Sequence, residues 1–341
     1  MDQALVAFQI RPDHDLDLMR SEQRLDVLAA AILDRLAPVL AEEAPDVVLV
    51  QGDTITTVAA ALAAFYNEVP VAHLEAGLRS NDIRAPWPEE ANRRITSLIA
   101  DLHFAPTAMA RDNLLRDGVA PDRVHLTGNT VIDALRRVPH IQRLPWPEPE
   151  GRRLIVVTAH RRENLGDPYD RILTAVLEIA RRHPCYDVYL VTHRNPQARA
   201  AISRLMGVRP PRNLHQLEPL DYITFINLLR RAHVILTDSG GIQEEAAAMG
   251  IPVLVLRDKT ERPEVLIAGV GSLVGTRPAA ILEKLTDLLG DDQAHRVMSE
   301  RVSAFGDGNA AERVVKHILE FVAMGAGPRH WSTVQRARNP A

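Results

Sequence analysis

The chain has a single cysteine, Cys185, in 341 residues, so no internal disulfide can form. Lysine is nearly as scarce: Lys259, Lys284 and Lys316 are the only three, which leaves few candidates for Schiff-base chemistry. Neither sign of charge prevails, with 40 Lys+Arg against 44 Asp+Glu and a net charge of -4. There is therefore no broad basic field for nucleic acid or an anionic membrane, and any anionic ligand must be held locally. No apolar run approaches the ~18 residues of a spanning helix. The start, MDQALVAFQIRPDHD, lacks the basic segment and apolar core of a signal peptide. A cytoplasmic protein is expected. No G-x-G-x-x-G follows a strand-like run, Gly269 to Gly275 having the wrong spacing, so nicotinamide redox chemistry is not supported. A Walker A motif, H-E-x-x-H and C-x-x-C are also lacking, which argues against an ATPase or a zinc enzyme.

What is present is rhythm. DVVLVQGDT (46–54), VPVAHLEAG (69–77), DLHFAPT (101–107) and RVHLTGNT (123–130) are short β-branched runs, each followed by a helix-like stretch. This is the βαβ pattern of a parallel sheet. HIQRLPWPEPEGRR (139–152), rich in proline and charge, reads as an interdomain linker. The rhythm then restarts at RLIVVTAH (153–160), YDVYLVTH (186–193), NLHQLEPL (213–220), AHVILTDSGG (232–241), IPVLVLRD (251–258) and GVGSLVG (269–275). Helices are expected near 278–290 and 309–323. The length suits two domains, 1–145 and 146–323, with a flexible tail at 324–341. A parallel unit normally opens with a buried strand, yet residues 2–9 and 21–41 read as helices, the second amphipathic through Leu25, Leu28, Ile32, Leu36 and Leu40.

Ligands of parallel sheets bind beyond the carboxyl ends of the strands, so polar residues just after apolar runs are the candidates. Asp53 follows VVLVQG, Glu75 follows VPVAHL, and His160 follows LIVVTA. Asp53 alone reads first as a helix N-cap. Glu75 directly precedes Ala-Gly, where a capping residue would be expected instead. Glu89 and Glu90, behind two prolines in RAPWPEEANRR, suit a helix dipole but also add to a converging set of acids. Carboxylates in a dry cleft can divide the roles of acid and base. His160 in TAHRREN is either a strand-end histidine or, beside Arg161 and Arg162, part of a phosphate site; His193 in VTHRNP reads as structural.

The densest stretch is TDSGGIQEEAAAMGIPVLVLRDKTERPE (237–264). Ser239-Gly240-Gly241 at a helix start lets backbone N–H groups approach a phosphate. Glu244 and Glu245 lie one turn along, where a carboxylate accepts ribose hydroxyls, and Arg262 follows the next strand. The stretch reads as a nucleotide-diphosphate site.

Taken in order, "QGDT", "HLEAGLRS", "PWPEEANRR", "GNTVIDAL", "TAHRREN", "TDSGGIQEEA", "RDKTERPE" and "GDGNAAERV" resemble the non-hydrolysing UDP-N-acetylglucosamine 2-epimerases, from residue 1 to about 323. The resemblance implies an α/β fold of two doubly wound, Rossmann-like domains facing a cleft, like glycosyltransferase-B enzymes, with the last helix packing back on the first domain. It implies an isomerase that eliminates UDP to give 2-acetamidoglucal and adds it back, interconverting UDP-GlcNAc and UDP-ManNAc for surface polysaccharide. It also implies a cytoplasmic homodimer acting on a UDP-sugar with no metal or other cofactor. Ser239, Gly240, Gly241, Glu245 and Arg262 would hold UDP, with Leu220 and Phe225 near the base. Asp53, Glu75, Glu89 and His160 would line the sugar as catalytic groups. A glycosyltransferase, a hydrolysing epimerase or a non-catalytic nucleotide-sugar binder shares much of this pattern. Family members begin with a strand and a Gly-Thr-Arg-Pro-Glu turn that this sequence does not contain. The expected consequence is an unpaired edge beside VVLV (47–50).

Overall fold

The computed structural model describes residues 2–20, 23–146, 151–159, 161, 164–192, 195–207, 210–301 and 304–325. Its contacts divide into two compact units: residues 12–130 with those from Gly306 onward, and the residues up to Arg11 with Val131–Phe305. Each is built on a parallel sheet.

The first-sheet unit contains, in chain order, α2 (Leu25–Glu43), β1 (Val48–Gln51), α3 (Ile55–Tyr66), β2 (Val71–Leu74), α4 (Glu89–Ile99), β3 (Leu102–Ala105), α5 (Ala108–Arg116) and β4 (Val124–Leu126), with α14 (Ala310–Ala323) joining it; α1 (Asp2–Ala7) lies with the other unit. Its described strands pair in the order β1-β2-β3-β4. Alanines at 59, 61, 63 and 64 let α3 lie close to its neighbours, Ala59 against Leu28 and Ile32 of α2. Val314 of α14 packs with Leu102 and Phe104. Gly77, at φ +88, brings its chain so close to α5 that a Cβ there would sit 2.1 Å from the Ala110 carbonyl oxygen. β1 is an edge strand among the described residues, and its Leu49 is 46 % exposed.

The second-sheet unit holds β5 (Arg153–Thr158), α7 (Asp167–Arg182), β6 (Tyr186–Val191), α8 (Pro196–Met206), β7 (Leu214–Leu217), α9 (Tyr222–Leu229), β8 (Ala232–Thr237), α10 (Gly240–Met249), β9 (Val253–Val255), α11 (Pro263–Ile267), β10 (Gly271–Leu273), α12 (Pro278–Gly290) and α13 (Asp292–Met298). Its strand order is β10-β9-β8-β5-β6-β7. The chain winds outward from β5 one way to β7, then returns beside β5 and winds the other way, which is the doubly wound Rossmann order. Side chains alternate between faces as a pleat requires: Ile155 and Val157 enter one core with Tyr169 and Ile281, while Val156 enters the other with Ile226 and Ile242.

The region expected to be a linker is docked where it is described. Leu144 is buried against this second core, as are Ile132 and Leu135 of α6 (Thr130–Arg137) and Val138 just ahead of that region. The Asn227 side chain donates to the Pro139 carbonyl and accepts from the Ile141 amide, and Arg230 and Arg231 of the same helix end donate to carbonyls of Leu135, Val138, Ile141 and Gln142. Polar composition suggested a free segment, yet its carbonyls are satisfied by arginines. The units therefore meet in sequence at 11/12, 130/131 and 305/306. The expected tail beyond Gly325 lies outside the described residues.

Candidate functional site

In the first-sheet unit, the turn after β1 carries Asp53. Thr54, not Asp53, caps α3, its Oγ1 accepting from the Thr57 amide at 3.3 Å. The capping role open to Asp53 is thus filled by its neighbour, and its carboxylate takes a hydrogen bond from Arg93 instead. The same guanidinium donates to Glu90 Oε2 at 3.2 Å, while Glu90 Oε1 accepts from Arg94 Nε at 3.0 Å and Glu90 Oε2 from the Ser80 amide at 3.0 Å. Two further donors hold the main chain of the turn: Asn92 Nδ2 to the Asp53 carbonyl and His73 Nε2 to the Gly52 carbonyl, both at 2.8 Å. Glu75 follows β2 directly with φ +64, a left-handed conformation uncommon outside glycine. Its carboxylate comes beside Gly52, where a Cβ would lie 3.8 Å from Glu75 Oε2.

The two glutamates that open α4 have different surroundings. Glu90 is fully buried and bonded, whereas Glu89 is half-buried at the helix start. α4 as a whole is inverted. Glu90, Asn92, Arg93, Thr96 and Ser97 face inward, while Ile95 and Leu98 face out, Leu98 being 85 % exposed. An ordinary surface helix does the opposite.

In the second-sheet unit, β5 and β8 are neighbours at the point where the winding reverses, which is where doubly wound sheets bind ligands. Asp238 ties the two turns there, accepting from the Arg161 amide at 2.9 Å and Asn164 Nδ2 at 2.8 Å. Ser239 stands at the N-cap of α10 without a side-chain cap bond. The glycines differ in purpose. A Cβ on Gly240 would meet Arg262 Nη1 at 2.3 Å, whereas one on Gly241 meets nothing within 4 Å. Gly240 admits the arginine beneath the helix start, and Gly241 leaves open space above it.

Arg262 is 6 % exposed and committed on two sides, Nε donating to Glu244 Oε1 at 2.6 Å and Nη1 to Glu261. Glu261 also accepts from Arg257 at 2.8 Å and Arg161 at 3.1 Å. Glu244 therefore serves Arg262, and of the two helix glutamates only Glu245 points elsewhere, accepting from the Tyr222 hydroxyl at 2.8 Å. Burial pushes the Glu245 carboxyl up to about 7. Leu220 and Phe225 are half-buried against the core on the α9 side. His160 and His193 lie outside the described residues. Asn92, Arg93, His73, Tyr222, Asp238 and Glu261 were not singled out from sequence. The only signal was the i, i+3 and i, i+4 spacing of Glu90, Arg93 and Arg94.

Two parallel Rossmann-type units, one with an open glycine-bearing helix start at its switch point and the other with clustered acids, define an α/β protein of the nucleotide-binding class. A family model described as UDP-N-acetylglucosamine 2-epimerase matches residues 1–319. A probable UDP-N-acetylglucosamine 2-epimerase of Ralstonia nicotianae is 49 % identical over 338 residues, 95 % of this chain and 88 % of that protein. The crystal structure of UDP-GlcNAc 2-epimerase from Neisseria meningitidis bound to UDP-GlcNAc superposes with a TM-score of 0.88 at 42 % identity, covering 94 % of this chain and 88 % of that one. The glycosyltransferase SnogD of Streptomyces nogalater, at 20 % identity and a TM-score of 0.51 over 86 % of this chain and 79 % of its own, shares the fold. The chain belongs to the UDP-N-acetylglucosamine 2-epimerase family.

Glu245 gives a pH signature. Its carboxyl titrates near 4.5 when unfolded and about 7 when folded, so between these values the folded chain holds the extra proton. Stability is then fully present below about 4.5 and falls as pH rises toward 7, by on the order of 3 kcal/mol. In Glu245→Gln, urea unfolding at a series of pH values should show this decline removed; an unchanged pH slope would contradict the assignment.

Proposed function

We propose that this chain interconverts UDP-GlcNAc and UDP-ManNAc in the cytoplasm, supplying ManNAc units for a surface polysaccharide. The observation that carries the reading is the division of chemistry: acids held in the turns of one unit, and in the other an uncapped helix start with open space at Gly241. C2 of the sugar has no ring carbonyl to acidify its proton. Removing that proton while the C1–O bond breaks, with the electron pair leaving on the UDP phosphate, forms the C1–C2 double bond of 2-acetamidoglucal. Re-addition of UDP at C1, with a proton delivered to the other face of C2, completes inversion. The sequence needs acid–base groups at C2 and N–H donors for the departing diphosphate.

Asp53, Glu75, Glu89 and His160 are assigned the acid–base side. Asp53 has the geometry for it, tied to Arg93 yet with its side chain 24 % exposed. Ser239, Gly240 and Gly241 are assigned to the diphosphate, the serine through its hydroxyl because its amide already donates to Thr237 Oγ1 at 3.0 Å, and the glycines through their amides; Glu245 is assigned to the ribose, and Leu220 and Phe225 to the base. Arg262, already neutralised by Glu244 and Glu261, supports this site from below. A homodimer is proposed through the outward face of α4, where Ile95 and Leu98 lie uncovered, with the exposed Phe65 and Tyr66 at the end of α3.

Incubation with UDP-GlcNAc tests the reading. UDP-ManNAc formed without an acceptor is expected. Free ManNAc with UDP would mean a hydrolase, and UDP binding without turnover a non-catalytic binder. Glu75→Gln and Glu89→Gln should each lower kcat at least ~100-fold with UDP affinity little changed; a residue whose replacement leaves kcat intact has no part in the chemistry. For the dimer, light scattering should show twice the chain mass, with Leu98→Asp shifting the population to monomer. A wild-type monomer, or an unaffected Leu98→Asp dimer, would remove α4 from the interface.

A further inference from the structure

Strand β2, Val71–Leu74, is buried at every position, and one of its four residues is a histidine. His73 is 0 % exposed and sits beside a second buried histidine, His103, its register partner on β3. An aliphatic side chain would be the cheaper occupant of such a place, since a buried polar ring costs free energy wherever it lacks a hydrogen bond. His73 makes only part of its possible bonds: Nδ1 is buried without a hydrogen-bond partner among the described residues. Nε2 meets the Gly52 carbonyl at 2.8 Å. A carbonyl only accepts, so Nε2 carries the proton and the ring is the neutral Nε2–H tautomer. Burial favours the same form, pushing the imidazole down to about 4, with nearby Arg79 and Arg93 acting in the same direction.

The location of this single bond gives it meaning. By backbone, His73 is two residues before Glu75; by side chain, it holds the carbonyl of the residue before Asp53. Gly52 sits at φ +73 between β1 and α3, its amide donating to the Leu74 carbonyl at 3.0 Å, so that the His73 bond adds a second tie from the same strand to this turn. Asn92 fixes the next carbonyl along, that of Asp53 itself.

We infer that His73 is a positioning residue: its Nε2–H bond to Gly52 links the turn that carries Asp53 to the strand that carries Glu75 and so sets the placement of the two carboxylates. This rests on the reading of Asp53 and Glu75 as acid–base groups. His73 itself never meets the substrate, being sealed beneath the turn.

The test compares His73→Leu, which removes the donor, with His73→Gln, whose side-chain amide restores one at about the same reach. Epimerisation of UDP-GlcNAc by the full chain should fall about 30-fold or more in kcat for the leucine variant, because misplacement by an ångström has effects of this size. KM and UDP affinity should stay within ~3-fold, and the glutamine variant should recover most of the rate. With Asp53→Asn already in place, adding His73→Leu should cost clearly less than it does in the wild type, since part of its effect runs through Asp53. Crystal structures of the variants give a readout independent of turnover: Gly52 should leave its positive φ in His73→Leu and keep it in His73→Gln. His73→Met takes the place of the leucine variant should that one not fold. Equal losses in the leucine and glutamine variants, multiplied losses in the double variant, or an unmoved turn in His73→Leu would each overturn the inference. Full activity in Asp53→Asn alone would instead refute the assignment of Asp53, leaving the crystallographic comparison to judge His73.

Discussion

A guanidinium with 2 % of its side chain exposed lies between two carboxylates, Asp53 and Glu90, and much of the first-sheet unit follows from that arrangement. A buried cation is tolerable only when its partners are fixed around it. Arg93 therefore sets how α4 lies against the β1 turn, and with it the inward positions of Glu90, Asn92, Thr96 and Ser97. Once the polar stripe of α4 faces inward, its apolar residues must face outward. The same constraint that holds Asp53 thus leaves Ile95 and Leu98 at the surface.

The second-sheet unit solves a related problem differently. Arg161, Arg257 and Arg262 converge on Glu261, with Glu244 taking the remaining edge of Arg262. Three cations here share two carboxylates, and Gly240 is what lets Arg262 lie beneath the helix start. What remains for a ligand at this end of the sheet is the uncapped start of α10 and the space above Gly241. Backbone amides cost no side-chain ordering, and an anion can complete the bonds that a helix start leaves open.

Much of this was legible beforehand. The strands appeared within the expected runs, and α12 occupies the predicted 278–290 without a shift, because Pro278 at its first position and an apolar stripe through Ile281, Leu285 and Leu288 leave little freedom. Asp53 and Glu75 were picked out by their place after apolar runs, and the structure sets them in the turns after β1 and β2. Two things were not visible. Periodicity treats polar residues as surface, so the inverted face of α4 and the buried His73 could not be read without knowing what lies opposite them. Composition treats a Pro-rich charged segment as linker, so the anchoring of residues 139–142 by Asn227, Arg230 and Arg231 required a long-range partner that no local pattern announces. Glu244 and Glu245 looked alike as neighbours in sequence, yet a helix turns about 100° between them, and one meets Arg262 while the other meets Tyr222.

The buried arginine of α4 holds both the Asp53 turn and the inward face of its own helix. Arg93→Met keeps the bulk and removes the charge, and both urea unfolding and UDP-GlcNAc turnover would be measured on the same full-length preparation. Breaking a buried ion pair from one side is predicted to cost about 3–5 kcal/mol, and loss of the Asp53 anchor should lower kcat at least ~10-fold even where the variant remains folded. A variant that unfolds at the wild-type denaturant concentration and turns over at the wild-type rate would contradict the claim that Arg93 organises this unit.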